Sequence, residues 1–198
     1  MIGQPVAGSI SARFTYGNAT SAYIRGLEFD YRKEFLNMFR AETNFFFIKS
    51  RVDVLPWTTY AFAKAGLLDR NSRAFAYDPT NLSRSLQGQS EFVFNLKLDY
   101  FITKTKNTTV GLYYNYFGDR IYAVGANGTP DAIEKGVGLT DAVFQHKADD
   151  KWDFKFALRN IMNTRFRIYQ HNHLTGRDEL FLSYREGLNI ALSATMRL

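Results

Sequence analysis

Two histidines, His171 and His173, flank Asn172 and are the residues with the plainest capacity for chemistry. Imidazoles at that spacing could hold a transition metal, but loop histidines are more often plain solvent-exposed residues, and His146 stands far from both in the sequence; no metal ligand is assigned. Glu28 and Asp30 could act as an acid and base pair. On a strand, however, that spacing puts both carboxylates on one face, where alternating polarity accounts for them. Gly136-Val137-Gly138 lacks the strand-to-helix context of a phosphate loop. Asn18, Asn81, Asn107 and Asn127 each open an N-x-S/T triplet, which matters only in a eukaryotic secretory protein. With no cysteine there is neither a disulfide framework nor thiolate chemistry. The chain is expected to have no catalytic residues, cofactor or metal site, and not to be an enzyme.

The elements that position these residues are strands. From Leu86 to Gly125, Phe92, Phe94, Leu96, Leu98, Tyr100 and Ile102 fall on one face, and Glu91, Asn95, Lys97 and Asp99 on the other, with Val93 and Phe101 as apolar exceptions. A period of two over this length is a strand. A polar break at 103–108 follows, and alternation resumes through Val110, Leu112, Tyr114 and Tyr116, giving an antiparallel hairpin. Each arm is about ten residues, near the 9–11 of a tilted membrane-spanning strand.

Aromatic residues make up 16% of the 198 residues, which favours β structure. No apolar run reaches the roughly 18 residues of a membrane helix, which leaves a membrane barrel open because its alternation averages the hydropathy. The net charge of +6 is spread along the chain instead of gathered on one face, so no nucleic-acid partner is expected. The first residues lack the pattern of a signal peptide.

Along the chain, residues 9–16 alternate, and a second strand runs from Gly17-Asn18 to Phe35, with Leu27, Phe29 and Tyr31 opposed by Glu28, Asp30 and Arg32. The two could be one bent strand, and the phase slip near Arg25-Gly26 suggests a bulge. A third strand covers about 42–54. Its Phe45-Phe46-Phe47 run masks the phase, and Phe46, Ile48, Ser50 and Val52 are taken as its outward set. Residues 55–85 form a long irregular stretch, with short helical turns possible within 60–68. After the hairpin come a connection at 124–138, a strand over 139–147 of unclear phase, and a turn at Asp149-Asp150. The next strand sets Trp152, Phe154, Phe156 and Leu158 against Asp153, Lys155 and Arg159, and could continue to Tyr169. A loop at 171–178 precedes a last strand in which Leu188, Ile190, Leu192, Ala194, Met196 and Leu198 alternate with polar residues.

The breaks alternate short and long, the asymmetry of transmembrane barrels with short periplasmic turns and long external loops. On that reading Phe92, Phe94, Leu96, Leu98, Trp152, Phe154, Phe156, Leu158, Ile190 and Leu192 face lipid. Tyr100, Tyr114, Tyr116 and Trp152 suit aromatic girdles. Glu28, Asp30, Arg32, Asn95, Lys97, Asp99, Asp153, Lys155 and Arg159 line a wet or plugged lumen, where their charges keep water. A soluble lipid-binding barrel would reverse the faces, but a small closed interior mixes small and large residues, unlike this uniformly large face.

Several segments resemble the C-terminal part of TonB-dependent outer-membrane receptors, especially those of Bacteroidetes-like bacteria. Residues 15–35 look like the family's N-x-x-S-A-x-x-x-G-x-E strand, and LQGQSEFVFNLKLDYF at 86–101 resembles its L-x-G-Q-S-x-x-x-x-N-L-x-L-x-Y. YYNYFGDRIYAVG at 113–125 matches Y-N-x-F-G-x-R-I-x-x-V-G. WDFKFALRNIMNTRFRIYQ at 152–170 is similar to the segment ending N-L-L-N-x-x-x-x-x-Y, with Ile161 and Met162 for the two leucines, and residues 184–198 look like the closing strand. The family usually ends on an aromatic residue, where this chain has Leu198.

The resemblance implies an all-β fold: an antiparallel up-and-down transmembrane barrel segment, about seven or eight strands of a 22-stranded barrel. Residues 1–198 would be the C-terminal part of the barrel, with the plug domain and the TonB-binding region absent. It also implies the Gram-negative outer membrane, uptake of a ligand the sequence does not name, and as partners outer-membrane lipid, the missing plug and barrel strands, and TonB through the absent N-terminal region. A complete small eight-stranded barrel with a structural or adhesive role is the alternative.

Overall fold

The computed structural model describes residues 19–54, 80–126 and 128–197. Among these there is no helix. The strands are β1 (Ser21–Phe35), β2 (Phe39–Asp53), β3 (Ser83–Arg84), β4 (Phe92–Phe101), β5 (Thr108–Phe117), β6 (Arg120–Ala123), β7 (Ala132–Glu134), β8 (Val137–Lys147), β9 (Trp152–Arg159), β10 (Arg165–Asn172), β11 (Arg177–Arg185) and β12 (Asn189–Met196). The long strands pair antiparallel in chain order, β1-β2-β4-β5-β8-β9-β12, with β3 beside β2. Connections of 36–38, 102–107 and 148–151 lie at one end of this wall. The chain leaves β2, β5 and β9 and returns to β4, β8 and β12 at the other, so the short connections share one end as the sequence implies.

Register puts the large apolar side chains on one face. Leu27 pairs with Phe47 and Phe47 with Phe92; Phe29 pairs with Phe45, Phe45 with Phe94 and Phe94 with Tyr116. The row continues through Phe144 with Phe156 and Phe156 with Leu192. Rings stack across strands, Phe29 on Phe45 at 4.9 Å and Phe47 on Phe92 at 5.1 Å. Such pairs give about 0.5–1.5 kcal/mol beyond their buried area. This face is open: Leu27 is 77% and Leu192 80% exposed. The opposite face is sheltered, with Asp99 at 3% and Val143 at 7%.

The Phe45–Phe47 run misleads about β2. Phe46, Ile48, Ser50 and Val52 lie on the sheltered face, because Phe45 and Phe47 are the residues opposite Phe29 and Leu27. Ser50 and Val52 are buried where the segment after residue 80 folds against β2, with Leu86 N donating to Ser50 Oγ at 3.0 Å and Val54 N to Leu82 O at 2.8 Å. Apolar residues are therefore used on that face near the long-loop end. The bulge expected at Gly26 is absent: pairing runs unbroken from Ser21↔Asp53 to Phe35↔Phe39. The slip is chemical, with Ile24 on the polar face and Arg25 on the aromatic one. The alternation at 9–16 and the helical turns at 60–68 fall outside the described residues.

The second and third long connections are not irregular, while residues 55–79 of the first fall outside the described residues. β6, β7, β10 and β11 form a second antiparallel sheet ordered β11-β10-β7-β6. Each follows or precedes the wall strand below it, so this sheet repeats the order β5-β8-β9-β12 and prolongs the wall beyond the long-loop end. The second connection is thus 118–136 rather than 124–138, and the third is a hairpin whose turn alone lies within 171–178. The strand starting at Trp152 ends at Arg159; β10 belongs to the other sheet.

Candidate functional site

The sheltered face carries a ladder of opposite charges near the short-turn end. Strand alternation puts Arg32, Arg40, Glu42, Lys97 and Asp99 on this side, and register sets Arg32 opposite Glu42, Arg40 opposite Asp99 and Glu42 opposite Lys97. Arg40 donates to Asp99 Oδ2 from Nη2 at 2.8 Å and from Nε at 3.1 Å. Lys97 Nζ lies 3.3 Å from the same carboxylate, and Glu42 Oε1 is 3.2 Å from both Arg32 Nε and Arg40 Nε. Lys106 closes the ladder on Glu34 at 2.7 Å. Tyr113 lies along the face with its hydroxyl 3.4 Å from Asp99, above Gly111, where a Cβ would come within 2.7 Å of the Tyr113 ring. A shallow groove of about 530 Å³ runs beside the ladder, lined by Asp30, Asn44, Asn95 and Asn115 among others. Farther along, Gln145 donates to both Asp153 oxygens at 3.0 and 2.8 Å, while Lys155 and Arg159 stand exposed opposite Ser193 and Asn189.

A second polar line marks the level where the wall gives way to the outer sheet. Asn160 is buried with φ 54°, its amide donating to Gly187 O at 2.9 Å and its oxygen accepting from Thr164 N at 2.9 Å. Asp141 accepts from Asn160 N and Asp119 from Gly136 N, at 2.8 and 2.7 Å. Ser90 donates to Gly118 O, and Gly88 N to Ile121 O. Gly88, Ser90, Gly118, Ile121 and Asn160 are motif residues, so the motifs meet in space along this line. Above it, Arg120 Nε lies 2.6 Å from the buried Glu134, a bond that raises the Arg120 pKa. Lys135 is raised likewise by Asp119, and the Tyr184 phenol is raised first by burial and then by the Glu134 charge.

The structure places the sequence-predicted polar residues, Glu28, Asp30, Arg32, Asn95, Lys97, Asp99, Asp153, Lys155 and Arg159, on one face, sheltered at Asn95, Lys97, Asp99 and Asp153 and exposed at the other five. Phe92, Phe94, Leu96, Leu98, Trp152, Phe154, Phe156, Leu158, Ile190 and Leu192 share the open one. It brings Arg32, Lys97 and Asp99 together and leaves the Asp153 group apart. Arg40 and Glu42 were missed because the Phe45–Phe47 run hides the phase of β2; they sit at even positions with Asn44 and were legible once Phe45 pairs with Phe29. Tyr113, on β5, was missed because an aromatic residue on the polar face gives no signal in the alternation. His171 Nδ1 lies 3.0 Å from Asp178 Oδ1, where the ring N–H donates to the carboxylate, with the His173 ring edge-on at 5.4 Å. Among the described residues no group of three or more His, Cys, Asp or Glu side chains is placed to hold a metal ion.

A protein-family model described as "TonB dependent receptor-like, beta-barrel" matches residues 2–161. The chain belongs to this family. Among solved structures, it is similar to the ferric-catecholate import receptor Fiu of E. coli K12 in its closed form, with a TM-score of 0.53 and 18% identity. The match covers 88% of this chain and 21% of that receptor, so the chain spans about a fifth of the length of the protein it matches. At this identity the likeness concerns the fold, and the seven-strand wall is the part of a TonB-dependent barrel it describes. No curated protein matches the chain.

Proposed function

We propose that this chain forms wall and outer rim of an outer-membrane uptake receptor, with the aromatic face toward lipid, the charged face toward the lumen and the long connections outside the cell. One observation carries the reading: a single sheet presents an open apolar face on one side and a sheltered, ion-paired face on the other. In water the open face would be an aggregation surface far larger than monomers tolerate; in a bilayer it is the expected exterior. Family membership supports a cargo that is a scarce solute, such as an iron chelate, a cofactor or a glycan, with energy relayed to the barrel through TonB and a plug. Fiu imports a ferric catecholate, which makes ferric chelates the first cargo to try. Among the described residues the outer edges of β1 and β12 pair with nothing. In hydrocarbon such edges are costly, which favours additional barrel strands over a small barrel complete in this chain.

The test is expression of the complete receptor in an outer membrane, followed by accumulation of labelled ferric chelates and glycans with and without the proton gradient. Gradient-dependent accumulation of one solute is expected. Accumulation that ignores the gradient, or a receptor found only in the soluble fraction, would count against the reading.

A further inference from the structure

On the open face the apolar row of β1 and β2 runs from Phe35–Phe39 up to Leu27–Phe47, and the next outward pair is Arg25 opposite Lys49. Like charges directly opposite on a sheet are destabilising. No carboxylate among the described residues neutralises them: Arg25 has only the Tyr23 ring, at 4.7 Å, and Tyr23 is itself opposite a third cation, Arg51. The carboxylate at this level, Asp53, is engaged by Arg51 at 3.0 Å and by the Ser21 hydroxyl at 3.0 Å. Among the described residues neither Arg25 nor Lys49 forms an ion pair, and both are exposed. Lys33, near the other end of the same row, differs: it is single and leans over Phe35 at 5.5 Å.

We propose that Arg25 and Lys49 clamp a phosphate group of a phosphorylated lipid of the outer leaflet, with Arg51, held by Asp53, beside them. The inference rests on the lipid-facing and outward-loop reading above. The cations begin where the apolar row ends, which is the level where acyl chains give way to headgroups. The anions at that level are lipid phosphates. Directly opposite residues lie about 4.5–5.5 Å apart, close enough for one phosphate to take bonds from both strands. A guanidinium supplies a planar fork and an ammonium a compact charge, and both match phosphate oxygens better than they match each other.

The experiment uses the complete receptor, purified in detergent and loaded with a phosphorylated glycolipid, the same glycolipid dephosphorylated, or inorganic phosphate. Native mass spectrometry reads what stays bound. The phosphorylated lipid should be held about tenfold more tightly than its dephosphorylated form, the ratio that ~1.4 kcal/mol carries. Arg25→Gln with Lys49→Gln should remove that preference, and Arg25→Lys with Lys49→Arg should keep it. Equal retention of the two lipids, loss in the charge-conserving swap, or displacement by inorganic phosphate alone would overturn the proposal. A separate readout tests its foundation: the quenching by brominated lipid of the tryptophan fluorescence that Leu96→Trp adds to a receptor whose Trp152 is replaced by phenylalanine. Quenching without a phosphate preference sinks this inference alone; absence of quenching sinks the facing itself.

Discussion

Arg40 and Asp99 meet across β2 and β4, with Arg40 Nη2 2.8 Å from an Asp99 carboxylate whose side chain is 2% exposed. Lys97 Nζ and the Tyr113 hydroxyl also reach this carboxylate, at 3.3 and 3.4 Å. Arg40→Met should therefore destabilise the receptor by roughly 2–3 kcal/mol, short of the 3–5 expected when a buried charge loses its sole partner. The measurement is the temperature at which the receptor loses its heat-modifiable mobility, and Arg40→Met combined with Asp99→Asn should recover part of the loss. A double variant no better than the single one would mean the pair is not coupled.

Leu96 and Asn95 are neighbours on opposite faces. Leu96 sits between Thr43 and Tyr114, Asn95 between Asn44 and Asn115. An arginine on the lipid face near midplane costs about 2–4 kcal/mol. Leu96→Arg should cut the folded receptor in the membrane sharply and Asn95→Arg should not. Equal loss from both would undo the facing.

Sidedness can be read by labelling. Leu174, 96% exposed in the turn between β10 and β11, should react in intact cells when replaced by cysteine. Asp150, in the turn between β8 and β9, should react only after the outer membrane is opened. The reverse pattern would turn the wall upside down.

Asn160→Ala removes two side-chain hydrogen bonds and leaves a non-glycine residue at φ 54°. Asn160→Gly removes the same bonds without the left-handed penalty of roughly 1–2 kcal/mol. Amide exchange should quicken in β10 and β11 for both variants, more for alanine, with β9 and β12 little changed. Uniform quickening across both sheets would show that the polar line does not separate them.

Leu36, exposed at the tip of the β1–β2 turn, holds φ 52° and Asn37 φ 53°. Leucine gains nothing there and resists the conformation. Leu36→Gly should raise stability by about 0.5–1 kcal/mol, read by the same mobility assay; a loss would mean the leucine makes a contact beyond this chain.

The wall was legible because one simple rule, period two, governs it wherever one residue class owns a face: β4 comes out within a residue or so of its expected span, and β9 and β12 begin within a residue of where they are expected. The rule failed where both faces are apolar. Phe45-Phe46-Phe47 carries no phase of its own, and only its partners Phe29 and Phe94 decide it. It failed also above the membrane level, where Arg25 and Ile24 exchange roles. The outer sheet was invisible for a related reason: β6 and β7 are too short to show a period, and their pairing depends on residues far apart in sequence, such as Ile133 with Tyr169. Asn160 and Gly118 were seen as motif letters, but their work is to hydrogen-bond segments that meet only after folding.

Because the hairpin of β10 and β11 is a prolongation of β9 and β12, the rim can change height without disturbing anything below it. Adding one residue to each arm preserves the pairing and turns the tip toward the other face; adding two restores its direction. A lone insertion must be absorbed as an irregularity, and the register shift between Ile168 and Tyr169 has that form. Length variation among relatives should then come in matched steps above Asn160, which would let receptors diversify what they meet outside while inheriting the same membrane-embedded strands.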